Sequence, residues 1–271
     1  MKIQKSKYVL YNIKKKIKKN KLVNAIVKFL FPYYPNCNIC QMSYEKFNDD
    51  FWHVNHICPN CNSYVRHRLF YAIFQFPNML QNRIILNDKS VLHFAPEPML
   101  KTKISKMCKE YFTADFLAAG YENDYAHIDF EVDISHMELI PSNSFDVIIA
   151  NDVLEHVKED SKAIKEIHRV LKKKGLCIIT VPTRDGLEKT DENLENISPQ
   201  ERAIKFGQFD HWRIYGHDFT ELLTSNGFFV EIIEASSFSD IYVKKHILKP
   251  FQKSNLINAT NERRIYVGSK L

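Results

Sequence analysis

From about residue 88 onward, apolar runs of strand length alternate with amphipathic segments of helical length. This alternation predicts a parallel sheet with helices on both faces, that is, an α/β doubly wound, Rossmann-like fold. Segment 159–175 predicts one such helix, with Ile164 and Ile167 on its apolar face and Gly175 as its stop signal. The predicted strands are SVLHFA (90–95), YFTADF (111–116), AHIDFEVDI (126–134), FDVIIANDVL (145–154) and GLCIITVP (175–182).

Polar side chains fall at the predicted strand ends, where parallel sheets bind their ligands. Asp115 ends the second strand 22 residues after His93, a spacing at which a carboxylate accepts hydrogen bonds from both ribose hydroxyls of a nucleoside. Asp133 lies at the end of the third strand and is placed to accept from an adenine amino group. Asn151 and Asp152 end the fourth strand. Because aspartate is also common in turns, none of these residues alone indicates a site. Their joint placement at successive strand ends predicts a nucleoside site.

The N-terminal segment has a different pattern, in which lysines accompany two short apolar stripes. Residues 1–44 carry ten lysines and no acid, so the net charge of +6 is a property of this segment. Its apolar faces either pack on the protein's own body or lie on an anionic membrane surface; nucleic acid is the least favoured partner. Two amphipathic helices are predicted, one carrying Leu10, Ile13 and Ile17 and the other Val23, Ile26, Val27 and Leu30.

Four of the six cysteines form two C-x2-C pairs with 17 residues between them. Each pair turns two thiolates toward one point, and four thiolates complete the tetrahedron that zinc prefers. Because all four ligands are sulfur, no position stays open for substrate, and the predicted zinc is structural. His53 and His56 are substitute ligands that four cysteines make unnecessary, and free thiols or an iron site are the alternatives. The predicted ligands are Cys37, Cys40, Cys58 and Cys61.

The basic cluster Arg66, His67 and Arg68 follows the last of these cysteines. It either holds a phosphate or carboxylate group, or it forms a solvated face or pairs with acids of the main domain. No run of about 18 uncharged apolar residues occurs, so neither a membrane span nor a secretory signal is predicted. The cysteine pattern suits a reducing compartment, and we expect a cytoplasmic protein that lies at the inner face of the membrane if its lysine-rich helices bind lipid.

Four stretches together resemble class I S-adenosylmethionine-dependent methyltransferases: SVLHFAPEPML, SFDVIIANDVLEHV, RVLKKKGLCIITVP and FGQFDHWRIYGHDFTELLTSNGFFV. The likeness is specifically to type 11-like methyltransferases of a bacterial branch in which a four-cysteine zinc ribbon precedes the catalytic domain. It covers about residues 36–235 and implies S-adenosylmethionine as cofactor. It also implies a seven-stranded sheet with an antiparallel last hairpin, supplied by FFVEIIEA and RRIYVGSK. The domains expected are a basic helical extension (1–35), a zinc ribbon (36–70) and a Rossmann-like methyltransferase domain (71–271).

The resemblance also implies roles for single residues. Asp115 is similar to the ribose-binding acid, Asp133 and Ile134 to the adenine-contacting pair, and Asn151 to the floor of the methyl-donor pocket. Where most such enzymes have an acid and a glycine-rich turn, this chain has other residues, and alanine and proline do not supply positive φ as glycine does. The branch shares the sequence HFAPE, so a substituted cofactor loop is predicted, with Glu97 receiving the methionyl ammonium. The full set of predicted cofactor-binding residues is His93, Ala95, Pro96, Glu97, Asp115, Phe116, Asp133, Ile134, Asn151 and Asp152.

Methyl transfer to a hydroxyl requires the loss of a proton, and histidine is suited to accept it. His156 and His211 are therefore the predicted catalytic residues; the structural alternatives are core packing for His156 and a hydrogen bond before the following helix for His211. Asp210, Arg213 and Tyr215 surround His211 in sequence and orient it or bind the acceptor.

The long polar connection 183–207 is predicted to act as a lid. The expected activity is O-methylation of a small-molecule or saccharide-type acceptor. The alternative is a zinc-ribbon module that binds nucleic acid or a membrane surface on an inactive methyltransferase scaffold.

Overall fold

The computed structural model describes residues 20–80, 84–116, 128–195, 197–256 and 259–271. Its strands are β1 (Ser90–Phe94), β2 (Glu110–Asp115), β3 (Phe130–Glu131), β4 (Phe145–Asn151), β5 (Leu171–Thr180), β6 (Asp191–Glu192), β7 (Arg213–Ile214), β8 (Phe228–Ile233) and β9 (Ile265–Lys270). Its helices are α1 (Lys21–Leu30), α2 (Val65–Ala72), α3 (Pro98–Ile104), α4 (Asp160–Val170), α5 (Pro199–Phe206), α6 (Phe219–Ser225) and α7 (Asp240–His246).

Seven of the strands form one sheet in the order β3-β2-β1-β4-β5-β9-β8. Strands β1 to β5 pair in parallel, whereas β9 runs antiparallel to both β5 and β8. The predicted doubly wound α/β fold with an antiparallel last hairpin is therefore confirmed. This is the seven-stranded sheet that the resemblance to class I methyltransferases implies. Strands β6 and β7 form a separate two-stranded ladder.

Both faces of the central strands are buried, as expected for a parallel sheet covered by helices on each side. Alternate residues of the strands point to opposite faces. On one face, Leu92, Ile148 and Cys177 pack with apolar residues of α4 and α6. On the other face, Val91, Val147 and Ile178 pack with α2, α3, α7 and the cysteine-containing segment. That segment is thus part of one of the two main cores.

Three predicted boundaries differ in the structure. Helix α4 ends at Val170, and the chain enters β5 directly, so Gly175 is not a helix stop. A Cβ on Gly175 would lie 2.8 Å from the Lys172 carbonyl oxygen and 3.1 Å from that of Asp146, so glycine serves a close backbone approach in β5. Strand β3 has only two residues, and residues 126–127 of its predicted range lie outside the described part. Strand β4 ends at Asn151, before a 3-10 helix over Leu154–His156.

The cysteine segment contains two turns of the same design. In the first, the Cys37 N–H donates to the Met42 carbonyl and the Gln41 N–H donates to the Cys37 carbonyl. The second turn repeats these two bonds, from Cys58 to Ser63 and from Asn62 to Cys58. Gln41 and Asn62 occupy the same place in each turn and have φ values of 62° and 57°. This repeat brings both C-x2-C pairs into equivalent conformations.

Helix α2 joins the cysteine segment to the rest of the chain and crosses the boundary predicted at residue 70. Arg68 on this helix is fully buried. Its guanidinium donates to the carbonyl oxygens of Ser63 and His56 on one side and of His246 and Ile247, at the end of α7, on the other. Arg68 therefore fixes the cysteine segment against the C-terminal part of the chain.

The N-terminal helix α1 confirms the second predicted amphipathic helix, while the first one falls in residues 1–19, outside the described part. Asn24 attaches α1 to the cysteine segment: its amide donates to the Gln41 carbonyl, and its side-chain oxygen accepts from the Ser43 N–H. Several apolar side chains of the helix nevertheless remain exposed, among them Leu22 (71%) and Phe29 (85%). Among the described helices, none is long and apolar enough to cross a bilayer.

Candidate active site

Two neighbouring strands, β1 and β4, are each followed by a non-glycine residue with positive φ. Ala95 follows β1 with φ of 42°, and Asp152 follows β4 with φ of 48°. This left-handed region normally favours glycine and costs other residues about 1 kcal/mol or more. The turn at Ala95 therefore takes a glycine-type conformation without glycine, and Pro96 after it is buried. Backbone strain of this kind concentrates at ligand-binding sites.

Glu97 lies in the turn after β1, and two buried histidines hold it. Its Oε1 is 3.2 Å from His67 Nε2, and its Oε2 is 3.8 Å from His93 Nε2. His93 has no exposed surface, and its Nδ1 is 2.8 Å from the Tyr111 hydroxyl oxygen. Burial lowers the pKa of His93 to about 4. His93, predicted to bind the cofactor itself, thus lies beneath Glu97 and positions its carboxylate.

Buried polar atoms without partners mark the ends of β1 and β4. The side-chain oxygen and nitrogen of Asn151 are both buried and find no hydrogen-bond partner among the described residues. The same is true of Glu97 Oε2. Burying an unpaired polar group costs roughly 1–3 kcal/mol. The two residues follow adjacent strands, in which Phe94 pairs with Ala150, so a ligand lying across these strand ends would satisfy both.

The remaining predicted cofactor residues lie at the ends of β2 and β3. Asp115 is half-buried, which raises its pKa, and its Oδ1 accepts from the Phe116 N–H. Phe116 is 51% exposed. Asp133 Oδ1 already accepts from the N–H and hydroxyl of Ser135, which leaves Oδ2, 3.9 Å from His136 Nδ1, as the oxygen more available to a ligand. Ile134 is buried. Strand pairing brings all four to the edge of the sheet that carries Glu97 and Asn151.

A cavity of about 510 Å³ adjoins this edge. It lies between the cysteine segment, the residues after β4 and the segment after α5. Phe206 and Gly207 of the predicted lid, residues 183–207, line it. That connection is not an irregular loop, since it contains β6 and α5, and a capping box of Ser198 and Glu201 begins α5. Side chains from the three regions that face the cavity include His56, Arg66, Asp152, Glu155, His156 and His211.

The two predicted catalytic histidines meet in this cavity. Their ring centroids are 4.7 Å apart in an edge-to-face arrangement. His156 Nδ1 is 3.0 Å from Asp210 Oδ2, and His211 Nδ1 is 3.1 Å from the Phe206 carbonyl oxygen. Burial and the neighbouring His156 lower the pKa of His211 to about 4. Burial acts to lower the pKa of His156 as well. The negative charges of Asp210 and Glu155 have the larger opposite effect, and the pKa of His156 is therefore raised.

Arg213 and Tyr215 do not line the cavity, although the sequence places them beside His211. Arg213 is buried and donates to the carbonyls of Leu154, Val157 and Lys158. The Tyr215 hydroxyl donates to Asp160 Oδ2 at 2.9 Å, at the start of α4. Both residues therefore fix the backbone that presents His156, and they act as positioning residues.

Sequence reasoning missed several residues of the cavity. His53 and His56 were considered only as substitute zinc ligands, yet with Asp50 they line the cavity as a separate cluster. Arg66 pairs with Asp152 Oδ2 at 2.9 Å, and Arg263 pairs with Asp152 Oδ1 at 2.8 Å. The Arg66–Asp152 and His67–Glu97 pairs match the expected alternative in which the basic cluster of residues 66–68 pairs with acids of the main domain. Nothing in the local pattern indicates Arg263.

The four predicted zinc ligands converge on one point. Their sulfur atoms all lie within 4.8 Å of one another. The Sγ atoms of Cys37 and Cys61, and those of Cys40 and Cys58, are each 3.7 Å apart. A tetrahedron of sulfur atoms 2.3 Å from a zinc ion has edges of about 3.8 Å. The geometry therefore fits a zinc ion with four sulfur ligands.

Comparison with known proteins adds independent findings. Residues 103–179, from α3 to β5, match the family described as a methyltransferase domain. An uncharacterized protein of Methanocaldococcus jannaschii is 45% identical over 49 residues, which are 18% of this chain and 21% of that protein. The chain therefore matches about a fifth of the length of this curated relative.

Solved structures with a similar fold include a SAM-dependent methyltransferase from Archaeoglobus fulgidus, which is 13% identical in sequence. The match covers 76% of this chain and 94% of that one, with a TM-score of 0.48. Another is the 1,6-didemethyltoxoflavin-N1-methyltransferase of Burkholderia thailandensis, solved with S-adenosylhomocysteine, with 14% identity, 74% and 78% coverage and a TM-score of 0.46. Residues 103–179 thus match a methyltransferase domain, and they lie within a sheet that has the expected order of seven strands.

Proposed function

We propose that the protein transfers the methyl group of S-adenosylmethionine to an oxygen atom of a small-molecule or saccharide-type acceptor bound in the 510 Å³ cavity. The observation that carries this proposal is the set of buried polar atoms on Glu97 and Asn151 that make no hydrogen bond within the described part of the chain, at the carboxyl ends of adjacent strands. These atoms suit a polar ligand at the place where parallel sheets bind cofactors.

Within this proposal each residue at the sheet edge has a separate task. Glu97, held by His67 and His93, accepts from the methionyl ammonium. Asp115 accepts from the two ribose hydroxyls, with Phe116 beside it. Asp133 Oδ2 and Ile134 contact the adenine, and Asn151 lies beneath the reactive sulfur. Asp152 is engaged by two arginines, so we assign it to the wall of the cavity rather than to the cofactor.

Bound S-adenosylmethionine supplies an electrophilic methyl group on a sulfonium sulfur, so the chain's main task is to position the acceptor. The acceptor hydroxyl loses its proton as its oxygen forms the bond to the methyl carbon, and the carbon–sulfur bond breaks with its electron pair left on sulfur. His156 and His211 face the cavity and assist the loss of this proton. The polar groups and the Trp52 ring of the cavity suit an acceptor with several hydroxyls.

We also propose that Cys37, Cys40, Cys58 and Cys61 hold a structural zinc ion. The four sulfur positions support this proposal. Because the cysteine segment supplies Asp50, Trp52 and His56 to the cavity wall and leads into α2 with Arg66, the zinc would maintain part of the acceptor site without entering the reaction.

Calorimetric titration with S-adenosylhomocysteine and with adenosine tests the cofactor assignment. We expect one site per chain for S-adenosylhomocysteine, and binding at least about tenfold weaker for adenosine, which lacks the ammonium that Glu97 receives. In Glu97→Gln this difference between the two ligands should shrink, because the amide removes the charge and keeps the shape. Equal affinities for both ligands in the wild-type protein would refute the assignment of Glu97.

The exposed apolar face of α1 supports a second role, which we propose to be binding to an anionic lipid surface. Leu22, Ile26, Phe29 and Leu30 are 50–85% exposed, so the packing interpretation does not account for them. The ten lysines of residues 1–44 complement anionic lipid, at about 1 kcal/mol for each lysine near the surface. This location would place the cavity near membrane-bound acceptors.

Cosedimentation with vesicles of phosphatidylserine and phosphatidylcholine tests this role. The wild-type protein should bind the mixed vesicles and not pure phosphatidylcholine. The double variant Ile26→Asn, Phe29→Asn should bind at least about tenfold more weakly, because it removes apolar surface that enters the lipid. Ile241→Asn, at an isoleucine of α7 that is 80% exposed, is the control and should bind normally. Equal binding by all three proteins would exclude insertion of this face.

A further inference from the structure

Three side chains with metal-binding atoms come together on one wall of the cavity. Glu155 and His156 lie in the 3-10 helix after β4, and His211 comes from the segment after α5. One carboxylate oxygen of Glu155 and one ring nitrogen of each histidine all lie within 4.8 Å of one another. Ligand atoms about 2.0–2.2 Å from a shared ion lie roughly 3–4 Å apart, so small changes in the side-chain torsion angles would bring the three atoms to one ion.

In both imidazoles the hydrogen bond involves Nδ1, so that Nε2 of each ring stays available. The Phe206 carbonyl can only accept, so His211 Nδ1 carries the proton and Nε2 keeps its lone pair. Likewise, the Asp210 carboxylate accepts from His156 Nδ1 at 3.0 Å. Metal-binding histidines usually donate their second ring N–H to a carbonyl or carboxylate in this manner, which fixes the ring orientation. Both supporting acceptors are therefore in place.

Glu155 supplies the independent observation. The residue is 1% exposed, and its Oε2 has no hydrogen-bond partner in the described part of the chain. The two arginines among the cavity's lining residues, Arg66 and Arg263, are paired with Asp152 instead. Without a cation, burial and the neighbouring Asp152 raise the pKa of Glu155 to about 8, so the side chain holds a proton at neutral pH, and a bound cation would replace that proton. The position of this oxygen beside two imidazoles indicates which kind of cation would do so.

We propose that Glu155, His156 and His211 bind a divalent transition-metal ion, such as zinc, in the acceptor cavity. Two imidazoles and one carboxylate are a ligand set that leaves coordination positions open, unlike the four cysteines. The catalytic consequence rests on the proposed methyl transfer: an acceptor hydroxyl bound at an open position releases its proton to solvent more readily. The two histidines then assist proton loss as ligands of the ion.

Metal titration of the full-length protein tests the site. Co²⁺ serves as the probe, followed by calorimetry and visible absorption, on protein whose zinc content has first been measured. The wild-type protein should bind one equivalent beyond the metal of the four cysteines. Glu155→Gln and His211→Gln should each weaken this equivalent by at least about tenfold to a hundredfold while keeping the cysteine-bound metal.

A variant in the same cavity provides the matched control. His53→Gln alters the neighbouring Asp50, His53 and His56 cluster and should leave Co²⁺ binding within about threefold of wild type. Loss of binding in His53→Gln with none in Glu155→Gln would overturn the proposal, as would the absence of a second equivalent at about 1 mM Co²⁺. The affinity of Glu155→Gln for S-adenosylhomocysteine should be unchanged. Measuring Co²⁺ binding and S-adenosylhomocysteine binding separately therefore distinguishes an error in the metal proposal from an error in the cofactor proposal.

Discussion

Substitution of Cys58 by serine should release the bound zinc and unfold the cysteine segment. Cys58 is fully buried, and its sulfur lies 3.7 Å from that of Cys40, so serine removes one corner of the tetrahedron. Structural zinc contributes roughly 10–16 kcal/mol to the folding of small zinc domains, and loss of a ligand forfeits much of this. Because this segment shares a core with Val91 and Val147 of the sheet, the loss should also lower the melting temperature of the whole protein.

Elemental analysis and thermal unfolding check this result. The wild-type protein should contain about one zinc ion bound by cysteine per chain. Cys108→Ser is the control, because Cys108 lies outside the cluster and donates only weakly, to the carbonyls of Ile104 and Ser105. This variant should keep its zinc and its melting temperature. Freshly purified, reduced wild-type protein without metal would contradict the zinc assignment, as would a full zinc equivalent in Cys58→Ser.

Replacement of Arg68 by methionine should lower the free energy of unfolding by about 3–5 kcal/mol. Methionine keeps much of the apolar stem but leaves the carbonyls of His56, Ser63, His246 and Ile247 without their donor, and each buried unpaired acceptor costs roughly 1–3 kcal/mol. Burial lowers the pKa of Arg68 only to about 10, so the native side chain remains charged at neutral pH. The variant therefore loses a charged donor that joins two distant parts of the chain.

Urea denaturation measures this difference. Arg264→Met is the matched control, since Arg264 pairs with the partly exposed Glu234 and should contribute about 1 kcal/mol or less. Arg68→Met should also loosen α2, which carries the His67 that holds Glu97. Similar stability losses in the two variants would contradict this expectation, because they would show that Arg68 contributes no more to the free energy of unfolding than Arg264 does.

The sheet was predictable because its central strands are buried on both faces and read as continuous apolar runs. For the same reason β1, β2, β4 and β5 are found close to their predicted positions. The edge strand β3 was predicted too long, because an apolar alternation does not reveal that, within the described residues 128–134, only Phe130 and Glu131 pair with β2. Gly175 was misread because a glycine needed for close packing in a strand looks the same as one that ends a helix.

The cavity was less accessible to sequence reasoning than the cofactor turn. The turn is one continuous stretch, whereas the cavity combines residues 50–66, 152–156, 206–211 and Arg263, which only the tertiary fold brings together. Arg68 and Arg213 illustrate the same difficulty. Arginine is seldom fully buried, so its sequence context predicts an exposed or ligand-binding residue. Both guanidinium groups are instead buried, and they donate to backbone carbonyls that include those of segments far away in the chain.

The most direct test of the central claim is calorimetric titration of the wild-type protein and Asp115→Ala with S-adenosylhomocysteine. A carboxylate that accepts from two ribose hydroxyls contributes about 1.5–3 kcal/mol, so the variant should bind roughly tenfold to a hundredfold more weakly. Its fold should survive, because Asp115 is half-buried and its carboxylate accepts from the adjacent Phe116 N–H. Undiminished affinity in a folded Asp115→Ala protein, or no binding by the wild-type protein, would contradict the assignment of this sheet edge as an S-adenosylmethionine site.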